Sequence, residues 1–145
     1  MKATVLYYSH KGKTAEYARE IAMFLWSQGV SVSLCAITEF DPSRLAGSDL
    51  LITGCWTCGW FVVGQHPHER WIEASRRLAG ILPAERTLLF TTYRIRTGRL
   101  FTRMKKVLGI NSSSPVHCLK SKTGRLTDAD KLQLQLFVGM QKKKL

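Results

Sequence analysis

Five short apolar runs, separated by segments with helical spacing, restrict this chain more than any other feature. Ala3–Tyr8 (ATVLYY) and Asp49–Thr53 (DLLIT) read as buried strands, the first on both faces, and Arg86–Thr92 (RTLLFTT) as another strand. Val30–Ala36 (VSVSLCA) alternates and carries β-branched residues, and Pro115–Leu119 is a shorter fifth strand. Between them, Thr14–Gln28 sets Tyr17, Ala18, Ile21, Ala22, Phe24 and Leu25 at helical spacing and stops at Gly29. Asp41–Ala46 forms a helical turn, with Asp41 as cap and Pro42 at its first position. His68–Ile81 places Trp71, Ile72, Leu78 and Ile81 on one helix face. Gly98–Leu108 is a basic helix, and Asp128–Met140 closes the chain with Leu132, Leu136, Phe137 and Met140 expected inward.

Strands that alternate with helices predict an α/β fold, an open five-stranded parallel sheet with helices on both faces. Right-handed crossovers leave few topologies, and the strand order 2-1-3-4-5 fits best. Such sheets bind ligands beyond the carboxyl ends of their strands, at the point where the order reverses. Here that selects the loops at 9–14, 54–65 and 91–98.

A chain of 145 residues suits one domain, expected over 1–141, with 142–145 as a basic tail. No apolar run approaches the ~20 residues of a membrane span. The start, MKATVLYYS, lacks the apolar core and cleavage site of a signal peptide, so a cytoplasmic location is expected. Four cysteines in such a setting are not a disulfide framework; Cys35 and Cys118 read as small buried hydrophobes.

The net charge of +12 is unevenly spread. Residues 1–93 are nearly balanced, whereas 94–145 hold thirteen Lys or Arg and two Asp. This asymmetry fits a docking face for an acidic partner, with nucleic acid or an anionic membrane surface as alternatives. A solvated basic surface ending in a frayed tail would give the same composition.

Ser9-His10-Lys11-Gly12-Lys13-Thr14 leads from the first strand into the first helix. A helix start offers unpaired N–H groups and the positive end of a dipole, both of which favour an anion. Two hydroxyls, a glycine and two lysines within six residues strengthen that reading. A nucleoside-triphosphate loop would need glycine at position 7, which is Tyr7, and no acidic residue closes the third strand to hold magnesium.

The stretch from Val5 to Ile21 resembles a flavodoxin. Val5-Leu6-Tyr7, Ser9, Gly12, Thr14, Ala18 and Ile21 fill the family's pattern of apolar, aromatic, hydroxyl and small positions. The resemblance implies a flavodoxin-like fold with FMN as cofactor, its phosphate held by Ser9, His10, Lys11, Gly12, Lys13 and Thr14. It covers the first ninety residues well and the remainder by layout. Familiar flavodoxins have Thr and Asn where this chain has Lys11 and Lys13, and they are usually acidic. The first change keeps phosphate binding; the second changes the kind of redox partner expected.

By the same resemblance, the loop Gly54–Phe61 would cover the flavin ring through Trp56, Thr57, Cys58, Gly59 and Trp60. The family's common aromatic position falls on Cys58, so Trp56 or Trp60 would take its place, and Gly59 permits a peptide flip. Thr91, Thr92, Tyr93 and Arg94 would meet the other edge of the ring, where Arg94 or Arg96 would raise the flavin's potential. Cys55 and Cys58 have C-x-x-C spacing outside a thioredoxin-like context. With His66 and His68 they offer two thiols and two imidazoles, but not at the spacing of a zinc finger.

The expected function is therefore an FMN-binding electron-transfer protein that docks an acidic redox partner on its basic 94–145 region. One alternative is an FMN-dependent oxidoreductase acting on a quinone, tetrapyrrole or disulfide. Another is a basic interaction or nucleic-acid-binding module without flavin. His10, His66, His68 and His117 are scattered, and no catalytic assembly stands out.

Overall fold

The computed structural model describes residues 1–60 and 63–144, with Trp60 and Val63 described by their backbone alone. Its strands are β1 (Lys2–Tyr8), β2 (Ser31–Ala36), β3 (Leu50–Trp56), β4 (Cys58–Trp60), β5 (Val63–His66), β6 (Thr87–Thr92) and β7 (His117–Ser121). Its helices are α1 (Lys13–Ser27), α2 (Glu69–Arg76), α3 (Leu100–Val107) and α4 (Asp128–Lys144). The main sheet has the order β2-β1-β3-β6-β7, parallel throughout. This is the expected 2-1-3-4-5 order, with the extra pair β4–β5 set between the third and fourth strands.

Alternation along the central strands builds the two layers. Val5, Ile52, Leu88 and Phe90 face α1 and α4, where they meet Tyr17, Ile21, Leu25, Leu134 and Phe137. Leu6, Leu51, Cys55 and Leu89 face the other way, onto Trp71, Leu78, Leu100 and Met104. Trp71 is fully buried and its indole N–H donates to Thr53 Oγ1 at 3.0 Å, which satisfies its one polar atom. The 3₁₀ turn at Pro42–Gly47 is capped as expected, the Asp41 carboxylate accepting from Ser43 N at 3.0 Å.

Four sequence expectations need correction. The segment expected as a loop over 54–65 carries strands: β3 runs on to Trp56, and β4 and β5 then pair antiparallel. The helix expected to Ile81 ends at Arg76, although Leu78 stays buried beyond it. The largest difference is in α4. Leu134, Phe137, Val138 and Gln141 face the core, whereas Leu132, Leu136 and Met140 are exposed; only Phe137 was placed correctly. The helix carries two apolar stripes, so periodicity alone cannot set its rotation. Its start fixes it. Thr127 and Asp130 cap each other reciprocally at 3.1 Å, and Tyr17 Oη donates to Asp130 Oδ2 at 3.0 Å. The helix also continues to Lys144, so Lys142–Lys144 form its last turn rather than a tail.

Candidate functional site

Strand β1 lies between β2 and β3, so the chain leaves it in one direction and returns on the other side. A cavity of about 770 Å³ opens at the carboxyl end of the sheet beside this reversal. Three segments wall it: the loop from β1 to α1, the stretch from Trp56 to Gly59, and the loop after β6.

The first wall holds His10, Lys11, Lys13 and Thr14. Gly12, at φ 92°, is the N-cap of α1 and takes the left-handed conformation that glycine tolerates. Its N–H donates to Ser9 Oγ at 3.1 Å, so Ser9 shapes the loop from behind and neither residue lines the cavity. No side chain caps α1, which leaves first-turn N–H groups at the cavity edge. Lys11 is exposed; Lys13 instead turns its ammonium to Lys122 O at 2.8 Å and pins the loop after β7. Thr14 is buried, and its hydroxyl shares a 2.6 Å hydrogen bond with Thr92 Oγ1.

The second wall holds Trp56, Thr57, Cys58, Gly59 and Gln65. Trp56 lies against two imidazoles, those of His10 at 5.7 Å and His68 at 5.6 Å between centroids. Its indole Nε1 is buried with no hydrogen-bond partner among the described residues, an unmet donor on the cavity wall. Gly59 sits at φ 145°, and a Cβ there would come within 2.9 Å of Gln65 Cα, so the hairpin closes only on glycine. Trp60's side chain lies outside the described residues.

Cys55 and Cys58 do not act as a facing pair. Cys55 is buried in the α2–α3 side of the core, whereas Cys58 lines the cavity. Both thiols are free. Burial pushes Cys55 up to about 12 and Cys58 up to about 11, with Glu69 adding to the second. Neither is a ready thiolate at neutral pH. Burial also lowers His68, whose Nδ1 accepts from Arg70 N at 3.1 Å as the cap of α2. Among the described residues, no three His, Cys, Asp or Glu side chains converge to hold a metal ion.

The third wall holds Thr92, Tyr93, Arg94, Ile95 and Arg96. Thr91 is fully buried instead, donating to Cys55 O at 2.7 Å and sharing a 2.8 Å bond with Thr57 Oγ1. It thereby ties β6 to the start of the second wall. The ammoniums of Lys120 and Lys122 lie 5.8 and 5.7 Å from the Tyr93 ring centroid. The described lining includes four cations, Lys11, Lys13, Arg94 and Arg96, and no carboxylate.

Of the residues expected at the site, the cavity thus gathers His10, Lys11, Lys13, Thr14, Trp56, Thr57, Cys58, Gly59, Thr92, Tyr93 and Arg94. Ser9, Gly12 and Thr91 support its walls from behind. Gln65 and Ile95 were not anticipated as site residues. Ile95 is legible as an exposed apolar residue between two arginines, but Gln65 enters only because the unforeseen hairpin turns it inward.

No described helix is long and apolar enough to cross a membrane. No family model matches the sequence, and no curated protein matches it. Solved structures do. The two-electron reduced flavodoxin of Megasphaera elsdenii superposes with a TM-score of 0.78 at 18% identity, over 95% of this chain and 98% of that one. Oxidised flavodoxin 2 of Bacillus cereus gives 0.70 at 18% identity over all of both chains. The flavodoxin of Streptococcus pneumoniae TIGR4 gives 0.67 at 21%, also over all of both. From β1 to α4, this chain has a flavodoxin-like fold.

Proposed function

We propose that the chain binds FMN in this cavity and carries electrons between partner proteins. One observation supports the reading above others: a helix start with no side-chain cap and the cations Lys11, Arg94 and Arg96, with no carboxylate among the described lining residues, border a 770 Å³ cavity at the sheet's switch point. The residues present fit the group. The first turn of α1 and Lys11 suit its phosphate, with Ser9, Gly12, Lys13 and Thr14 fixing the loop. Trp56, Thr57, Cys58 and Gly59 suit one side of a planar ring, and Thr92, Tyr93 and Arg94 the other. The unmet Trp56 indole N–H suits a ring or ribityl acceptor.

Bound FMN supplies the electron-accepting ring; the chain supplies binding, potential and choice of partner. Arg94 and Arg96 stabilise negative charge in the cavity, which makes whatever is held there easier to reduce. Lys120 and Lys122 extend the positive rim beyond Tyr93. That rim suits a redox partner with an acidic face, drawn in by long-range attraction.

A second reading, direct reduction of a small anionic quinone or tetrapyrrole, draws on Arg94 and Arg96 as cations beyond those of the phosphate loop. Turnover separates the two. A carrier reduces small acceptors slowly and takes up electrons in two resolved steps; an enzyme does the opposite.

The visible spectrum of the purified protein, before and after adding FMN, tests the cofactor reading. Bands near ~370 and ~450 nm that stay with the protein through gel filtration support it. A protein that remains colourless with FMN present contradicts it.

A further inference from the structure

The outer face of α4 carries an apolar stripe that the fold does not use. Ala129, Leu132, Leu136 and Met140 recur every three or four residues, and the last three are 57%, 53% and 49% exposed. Single exposed hydrophobics are ordinary, but an unbroken row along a helix facing away from its own core is not. Its spacing is that of a helix–helix seam. Hydrogen bonds from Tyr17 to Asp130 and from Lys142 to Gln28 O tie α4 to α1 near both ends, which leaves the outer stripe free of that contact.

The charges at the two ends of the stripe indicate what covers it. Asp128 is exposed at the start of α4, and Lys142, Lys143 and Lys144 are exposed at its end. We propose that α4 packs antiparallel against α4 of a second copy of this chain, about a two-fold axis at Leu136. Leu136 then meets its own equivalent, and Leu132 meets the partner's Met140. Asp128 faces the partner's Lys144, and the helix dipoles oppose. A parallel pair would instead stack lysines on lysines. An anionic bilayer would attract the lysines but repel Asp128, and it would leave the symmetric placement of the acidic and basic ends unexplained.

The geometry also sets the strength. Seventeen residues make a helix about 25 Å long, and a strip of that length about 10–12 Å wide falls short of the ~800 Å² per partner of a standard interface. The dimer is therefore weak and reversible. No described residue of α4 lines the cavity, so a dimer through its outer face leaves both cavities open. Nothing in this proposal depends on FMN.

Sedimentation equilibrium of the full chain between about 10 and 500 μM, at about 0.15 M salt to screen its charge, tests the proposal. The mass should rise reversibly toward that of a dimer. Leu136→Glu should weaken association at least about tenfold with unchanged circular dichroism. Asp128→Lys should weaken it several-fold, and Asp128→Lys with Lys144→Asp should restore it. A monomer across the whole range overturns the proposal. So does a dimer indifferent to Leu136→Glu or to the charge exchange. Stripe-dependent sedimentation with phosphatidylserine vesicles by a chain that stays monomeric overturns it in favour of a membrane surface.

Discussion

Thr14 Oγ1 and Thr92 Oγ1 lie 2.6 Å apart, a buried hydrogen bond joining the first turn of α1 to the last residue of β6. Seventy-eight residues apart in sequence, they hold two walls of the cavity at a fixed separation. Thr14→Val keeps the side-chain shape but leaves the Thr92 hydroxyl without this partner. The expected cost is about 1–3 kcal/mol, read as a fall in urea midpoint, together with weaker FMN binding.

The two faces of α4 give a direct contrast. Leu134→Ala empties a fully buried position and should cost about 2–5 kcal/mol. Leu132→Ala, the position that periodicity placed inward, should change monomer stability by no more than about 0.5 kcal/mol. Denaturant titrations of both variants at low protein concentration check this.

Stability should fall on the alkaline side. Burial raises Cys55 to about 12 and raises Cys58 and Cys118 to about 11. The same thiols titrate near ~8.5 in an unfolded chain. Below that pH both states keep their protons and the thiols contribute no slope. Above it the unfolded chain loses protons that the folded chain retains, so stability drops as pH rises toward 11–12. Tm measured from pH 7.5 upward should decline beyond about pH 8.5. Cys55→Ala should flatten that decline.

Arg94 and Arg96 are exposed on the third wall, so replacing them tests electrostatics with little risk to the fold. Arg94→Glu with Arg96→Glu should make bound FMN harder to reduce. It should also slow association with an acidic redox partner about tenfold or more, most strongly at low salt. Stopped-flow association rates at several ionic strengths measure the second effect.

Much of this architecture was legible because strands and turns announce themselves locally. ATVLYY, LLIT and TLLFTT are largely buried on both faces, and the Asp41 cap sits where the sequence places it. The cavity was legible for a topological reason: once the strand order is known, the reversal point selects the loops. What was hidden depended on distant partners. The rotation of α4 is set by Tyr17, more than a hundred residues away. The β4–β5 pair was hidden for a local reason instead: it rests on the close approach of Gly59 to Gln65, and its short strands carry no apolar alternation. Lys13 looked like a phosphate ligand, yet its ammonium goes to the carbonyl of Lys122.

Fluorescence titration of the flavin-stripped protein with FMN and, in parallel, with riboflavin separates a phosphate-anchored site from a merely flat one. Quenching at one FMN per chain, with riboflavin at least about tenfold weaker (about 1.4 kcal/mol), is the expected result. Lys11→Ala should narrow that gap. Equal affinity for the two ligands would contradict the phosphate role of the β1–α1 loop, and no quenching with either would contradict the cofactor itself.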